Sequence, residues 1–180
     1  MKLNTKEITH IAILAAIISV LSIITFQINV VPITLSVFAV LLSAVIAGAK
    51  KSVTAVAVYI LIGALGIPVF SGIKGGVQIL AGPTGGYIIS YIFMALIVGI
   101  VSDKIKENNI KNQVILFLFS IISIAVCYIL GTIQYVFITS IEWTAALSAC
   151  VYPFIPFDII KSFLAVIIGL KIKTQIKNIM

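Results

Sequence analysis

Long apolar runs alternate along the chain with short polar segments that carry almost all of its charge. About 20 apolar residues in a helix cross a bilayer, because each residue adds about 1.5 Å of rise. The pattern predicts an all-α integral membrane protein in which residues 1–180 form a single membrane domain. The six predicted transmembrane helices cover residues 8–28, 33–49, 52–70, 87–101, 113–138 and 145–170.

The positions of the lysines predict the orientation of these helices. The chain has no arginine, and most of its lysines lie in alternate connections. Because cytoplasmic segments carry an excess of Lys and Arg, both termini are predicted to be cytoplasmic. The opposite side carries only Lys74, and Lys161 lies inside the last span. The lysines of the predicted cytoplasmic side are Lys2, Lys6, Lys50, Lys51, Lys104, Lys106, Lys111, Lys171, Lys173 and Lys177.

Composition excludes a soluble domain. The chain is 62% hydrophobic and 9% charged, whereas soluble domains are about 25% charged. Its net charge of +7 follows membrane topology and does not indicate a nucleic-acid partner. Cys127 and Cys150 lie in apolar runs without metal-ligand or redox spacing, and His10 is the single histidine. We therefore expect a multi-pass protein of the cell membrane with neither metal nor cofactor.

The connection between the third and fourth spans, residues 71–86, is long and rich in glycine. Glycine permits positive φ angles and close backbone approach, and irregular backbone at membrane depth persists only where protein or a cavity covers it. The segment therefore predicts a lid over a cavity on the outer side; the alternative is a flexible surface turn. Its end, Gly82-Pro-Thr-Gly-Gly-Tyr87, lacks the lysine of a Walker motif, which argues against nucleotide binding.

Asp158 and Lys161 are the only charged residues of the stretch 143–170. One such charge at the centre of a membrane helix costs about 2.5–3.5 kcal/mol on insertion scales. The i, i+3 spacing places both side chains on one helix face, where they can share a polar pocket. Pro153 and Pro156 directly precede the pair and predict a broken or kinked helix entry. Broken helices beside buried charges are typical of ligand sites at membrane depth.

These features favour an outward-facing pocket for a neutral or singly charged organic molecule over a pathway for bare ions. With no nucleotide motif, the chain must act passively, couple to an ion or draw energy from partners. A passive or ion-coupled carrier and a membrane enzyme are the alternatives. In the first span, Ala12-x-x-x-Ala16 lets two helices approach closely, either within this chain or against a partner protein.

Four blocks of the sequence, in order, resemble the BioY family, the biotin-specific S components of energy-coupling factor (ECF) transporters. The resemblance implies six transmembrane helices, cytoplasmic termini and high-affinity capture of biotin from outside for vitamin uptake. It implies no enzymatic activity in this chain, with a membrane scaffold protein and two ATPase subunits as partners. Another vitamin is the alternative ligand. The blocks are Val31-Pro-Ile-Thr-Leu35, Tyr59-Ile-Leu-Ile-Gly-Ala-Leu-Gly-Ile-Pro-Val-Phe70, Gly82-Pro-Thr-Gly-Gly-Tyr87 and Pro153-Phe-Ile-Pro-Phe-Asp-Ile-Ile-Lys161.

The resemblance also assigns roles to residues of the predicted pocket. Asp158 would accept a hydrogen bond from the ureido ring of biotin, and Lys161 would compensate that carboxylate. A lysine such as Lys74, a backbone nest or water would hold the ligand carboxylate. Ala12 and Ala16 would meet the scaffold protein. The remaining substrate-binding candidates, which would contact the ligand rings or another polar edge, are Phe70, Gln78, Gly82, Pro83, Thr84, Gly85, Gly86 and Tyr87.

Overall fold

The computed structural model describes residues 4–26 and 33–179, and within them it is almost entirely helical. A two-stranded antiparallel sheet pairs β1 (Thr25–Phe26) with β2 (Ile33–Thr34), in the register Thr25 to Thr34. Lys2 and the predicted connection at residues 29–32 lie outside the described residues, as do the first two residues of the block that begins at Val31. The helices are α1 (Thr5–Ile23), α2 (Ser36–Ala64), α3 (Val77–Leu80), α4 (Gly85–Lys104), α5 (Ile110–Thr139), α6 (Trp143–Cys150) and α7 (Ile155–Ile179).

Four of the described helices, α1, α2, α4 and α5, are long and apolar enough to cross a membrane. The pair α6 and α7 also qualifies as one span, broken by a bend of 47°. This break lies at the position predicted from Pro153 and Pro156. This count gives up to five spans among the described residues, because α2 covers most of the second predicted span and part of the third. The first predicted span was also too long, since α1 ends at Ile23 and a strand follows.

Helix α2 consists of two helical segments that meet at Gly48. Gly48 has φ 73° and ψ −177°, a conformation that is not helical. Ser36 and Tyr59 line the same cavity, whose volume is about 540 Å³. In a continuous helix these two residues would lie about 35 Å apart. The chain therefore folds back at Gly48, and both segments of α2 reach the cavity.

The end of α4 closes around the Gly48 turn. Asp103 Oδ2 accepts a hydrogen bond of 3.0 Å from the backbone nitrogen of Ala49, the first residue after the turn. A carboxylate at this point satisfies a donor that a helix start leaves unpaired. Ser102 Oγ donates to the carbonyl of Val45 at 2.6 Å. A side chain at Gly48 has no space, since its Cβ would overlap the Asp103 carboxylate.

Two further contacts bring helix ends to the same side of the molecule as the Gly48 turn. Lys50 Nζ lies 3.2 Å from Glu7 Oε1 at the start of α1. Lys173 Nζ, near the end of α7, donates to Ser102 Oγ at 2.7 Å. The start of α1, the turn in α2 and the ends of α4 and α7 therefore form one end of the bundle. Each of these segments carries lysines that the sequence assigned to a single side.

The core is built from small residues where α2 and α4 form the most extensive helix contact. A Cβ on Gly99 would lie 2.5 Å from Ala49 Cα, so the two backbones are nearly in contact. Ala39, Ala44 and Ala95 are completely buried. Close backbone approach through small residues is the usual way that helices pack in lipid. Large apolar side chains occur on both sides of this packing: Leu41 and Met94 are completely buried, whereas Phe137 points outward at 82% exposure.

We expect Gly48→Ala to lower the thermal stability of the purified protein in detergent. The substitution imposes on alanine a backbone with φ 73° and ψ −177°, which is essentially restricted to glycine and costs about 1–3 kcal/mol, and it also pushes a methyl group into Asp103. Gly66→Ala is the matched control, because Gly66 has φ 99° but no atoms within 4 Å of an added Cβ. The melting temperature of G48A should fall well below that of G66A. Equal melting temperatures would contradict the role assigned to the Gly48–Asp103 contact.

Candidate ligand site

A cavity of about 540 Å³ lies at the end of the bundle away from the Gly48 turn. Five of the chain's six tyrosines contribute to its wall. Tyrosine offers a flat apolar ring together with one polar hydroxyl. A wall of this kind suits a ligand with an apolar ring system and several polar edges. The five tyrosines are Tyr59, Tyr87, Tyr91, Tyr128 and Tyr135.

Asp158 and Lys161 form a buried ion pair in this wall. Lys161 Nζ donates to Asp158 Oδ1 at 2.9 Å, and the two residues are only 9% and 3% exposed, respectively. The hydroxyl of Tyr128, on α5, donates to Asp158 Oδ2 at 2.7 Å. Each carboxylate oxygen thus has one donor, and further lone pairs remain for a ligand N–H group. The carboxylate is therefore hydrogen-bonded without a ligand and can still accept a hydrogen bond from one.

The break between α6 and α7 places the ion pair at a helix start. Helix α7 begins at Ile155, and Pro156 is tolerated there because the first turn of a helix needs no backbone donor. Asp158 lies in this first turn. A negative charge near a helix N-terminus is favoured by the helix dipole, by about 0.3–1 kcal/mol at exposed positions. The prolines thus bring Asp158 to a favourable position at membrane depth.

The segment after α2 returns along the cavity as a short hairpin. The backbones of Phe70 and Lys74 form an isolated antiparallel bridge, with the Phe70 nitrogen 2.9 Å from the Lys74 carbonyl. Phe70 is completely buried and meets Tyr59 edge to face, with ring centroids 5.5 Å apart. Its ring fills the space that a side chain on Gly63 would need. The hairpin is therefore fixed at its base, and Lys74 lines the cavity from it.

Gln134 of α5 holds the second half of the glycine-rich segment. Its Nε2 donates to the carbonyls of Leu80 and Gly82, each at 2.8 Å. Nearby, the Tyr87 hydroxyl lies 3.1 Å from Thr132 Oγ1, and the Tyr87 ring covers Gly131. These contacts fasten the segment between α3 and α4 to α5, along the side of the cavity.

The structure brings most of the predicted site residues to the cavity wall. Gly85 and Gly86 are not among the lining residues. An added Cβ on Gly86 would lie 2.7 Å from the Leu130 carbonyl, so this glycine permits close packing of α4 on α5. Ala12 and Ala16 are exposed on α1 and are likewise absent from the wall. The predicted residues that line the cavity are Phe70, Gln78, Gly82, Pro83, Thr84, Tyr87, Asp158 and Lys161.

Tyr128 and Gln134 were not among the residues predicted from the sequence. Tyr128 lies 30 residues before its partner Asp158, and Gln134 lies more than 50 residues after the carbonyls it binds. Neither pairing has a local sequence signature. One signal was nevertheless present, because a tyrosine or glutamine within an apolar span needs a hydrogen-bond partner there.

Comparisons with known proteins agree on one family. Residues 1–178 match the model of the BioY family. The chain is 37% identical over 169 residues to "Biotin transporter BioY2" of Lactococcus lactis subsp. cremoris, covering 93% of this chain and 91% of the relative. It is also 37% identical to "Biotin transporter BioY" of Thermotoga maritima, over 93% and 96% of the two chains.

A solved structure shares the fold. It is the crystal structure of the S-component for biotin from an ECF-type ABC transporter, and it is 27% identical to this chain. The two superpose with a TM-score of 0.80 over 96% of this chain and 95% of the other. The agreement therefore extends from the sequence to the arrangement of the helices.

We expect Gln134→Leu to release the glycine-rich segment from α5. The substitution keeps the approximate size of the side chain but removes both hydrogen bonds, so backbone amides of residues 78–86 should exchange with deuterium faster. Gln113→Leu is the matched control, since Gln113 lies on the same helix and bonds to Asn108 at the opposite end of the bundle. Unchanged exchange at residues 78–86 in Q134L would show that Gln134 does not hold the segment.

Proposed function

The chain belongs to the BioY family, and from that membership we propose that it captures biotin from outside the cell, as the S component of an ECF importer. The observation that carries this proposal is the buried group of Asp158, Lys161 and Tyr128 in the wall of a cavity of about 540 Å³. A cavity of this size falls in the usual range of small-molecule sites, about 300–1,000 Å³.

The chemistry of biotin suits the polar group. Its ureido ring offers two N–H donors and one carbonyl acceptor. Asp158 accepts from a ureido N–H, in a charge-assisted hydrogen bond that burial strengthens. Lys161 keeps the carboxylate compensated and can donate to the ureido oxygen. Tyr128 and Lys161 each donate to one carboxylate oxygen and so fix the orientation of Asp158, while further lone pairs remain for the ligand.

The rest of the wall suits the apolar part of biotin. The sulfur-containing ring and the aliphatic chain would lie against aromatic side chains, among them Phe70, Tyr87 and Tyr91. Apolar contact contributes about 25 cal/mol for each Å² removed from water. Gln78 and the backbone of residues 82–84 supply polar groups beside these rings.

The proposed topology has six membrane segments with both termini cytoplasmic. The fold-back at Gly48 supports it, because α2 then contributes two antiparallel segments and the broken pair α6 and α7 contributes one. The lysine-rich helix ends that gather around the Gly48 turn form the cytoplasmic side. The cavity at the other end of the bundle then opens outward.

Partners supply the energy for transport in this proposal. A membrane scaffold protein and two ATPase subunits would drive release of biotin to the cytoplasm. Helix α1 is the proposed contact with the scaffold, since Ala12 and Ala16 are exposed one turn apart. Small residues at this spacing let a second helix approach closely in lipid.

Isothermal titration of biotin into the purified, ligand-free chain tests the proposed function. The protein is produced in biotin-free medium, and co-purified biotin is measured before the titration. We expect nearly stoichiometric binding with a dissociation constant in the nanomolar range. A folded sample that binds no biotin would contradict the proposal.

We expect Asp158→Asn to weaken biotin binding at least tenfold, because a neutral amide loses the charge-assisted bond and leaves Lys161 uncompensated. Tyr128→Phe should have a smaller effect in the same direction, since it removes only the bond that orients Asp158. Tyr152→Phe is the matched control, because Tyr152 is exposed and does not line the cavity. Melting temperatures of all three variants separate loss of folding from loss of binding. Wild-type affinity in a folded D158N would remove Asp158 from the site.

We expect Ala16→Leu to reduce biotin uptake by the reconstituted complex while binding to the isolated chain stays at the wild-type level. The larger side chain would separate α1 from the scaffold but lies outside the cavity wall. Ala145→Leu is the control, since Ala145 is an exposed alanine on α6. Equal uptake by A16L and wild type would exclude this face as the docking site.

A further inference from the structure

The charges of the cavity wall do not sum to zero. Among the residues that line the cavity, the charged ones are Asp158, Lys161 and Lys74. Asp158 and Lys161 neutralise each other at 2.9 Å. Lys74 is left as a net positive charge, which a ligand with one negative charge would balance.

Lys74 is available for such a charge. Among residues 4–26 and 33–179, no carboxylate lies within salt-bridge distance of its ammonium group and no side-chain hydrogen bond engages it. The chain contains no arginine, and the other lining lysine is already paired. A cation beside a partly enclosed cavity interacts with an anion more strongly than it would in bulk water, because the local dielectric is lower.

The backbone of Lys74 is held in place while its side chain is free. Its nitrogen and carbonyl both bond to Phe70, which is completely buried. Between them, Ile73 has φ 58°, a left-handed conformation that is rare for a β-branched residue. Such conformations cost about 1–3 kcal/mol and persist only where the surrounding structure imposes them. The tight hairpin therefore holds Lys74 at one position beside the cavity.

We infer that Lys74 binds the carboxylate of the ligand and makes the site selective for a ligand with a single negative charge. The inference rests on the proposed function, in which the ureido ring of biotin donates a hydrogen bond to Asp158. The ureido ring and the carboxylate lie at opposite ends of biotin. A ligand whose ring end binds Asp158 thus directs its carboxylate away from that pair, and Lys74 is the lining cation that remains.

A comparison of biotin with biotinamide isolates this contribution, because the amide removes the negative charge and leaves the rings unchanged. Wild type should bind biotin at least tenfold more tightly than biotinamide. Lys74→Met keeps the apolar stem and the backbone bridge, and it should bind both ligands with similar affinity. Lys74→Arg should retain most of the preference for biotin. Lys106→Met, an exposed lysine outside the cavity wall, should behave as wild type.

The outcomes distinguish the inference from the proposed function. Loss of the preference in K74M, with biotinamide affinity unchanged, supports carboxylate binding by Lys74. Equal weakening of both ligands would show a structural role for Lys74 and overturn the inference. A preference for biotin that survives in K74M would show that another group binds the carboxylate, and it would also overturn the inference. If wild type binds neither ligand, the proposed function itself fails.

Discussion

A buried charge in lipid must be compensated, and this constraint organises the ligand site. Asp158 and Lys161 neutralise each other, and Tyr128 occupies the second carboxylate oxygen. Removing one partner of such a pair typically costs about 3–5 kcal/mol. The three side chains are therefore coupled, and α5 is tied to α7 through them. The polar group proposed to bind the ligand is at the same time a structural contact between helices.

Backbone proximity is the second constraint, because helices in lipid gain little from burying apolar side chains against each other. Gly99 lets α4 reach the Gly48 turn, and Gly86 lets it reach α5. Helix α4 is thereby held at both of its ends, and it begins directly after the glycine-rich segment. The position of that segment at the cavity follows from this packing and from the hydrogen bonds of Gln134.

Local features of the sequence predicted the parts of the structure that have local causes. The apolar runs indicated the membrane helices, Pro153 and Pro156 indicated the break before α7, and the isolated charges indicated Asp158 and Lys161. The exact helix ends were missed, since Ile23 and Ala64 end their helices within apolar sequence that hydropathy cannot divide. Tyr128 was missed for a different reason. Its partnership with Asp158 depends on how α5 packs on α7, which no spacing in the sequence records.

The fold-back at Gly48 shortens the helical segments of α2 but brings both of them to the cavity. Residues 36–47 rise by about 18 Å and residues 49–64 by about 24 Å, whereas a bilayer core is about 30 Å thick. Each segment is short for a crossing. In the proposed six-segment topology the bilayer must therefore thin, or lysines beside the turn must reach the interface, at a cost of fractions of a kcal/mol per Å. In return, α2 reaches the cavity twice, through Ser36 and through Tyr59. A straight helix of the same sequence could bring only one of these residues to the cavity.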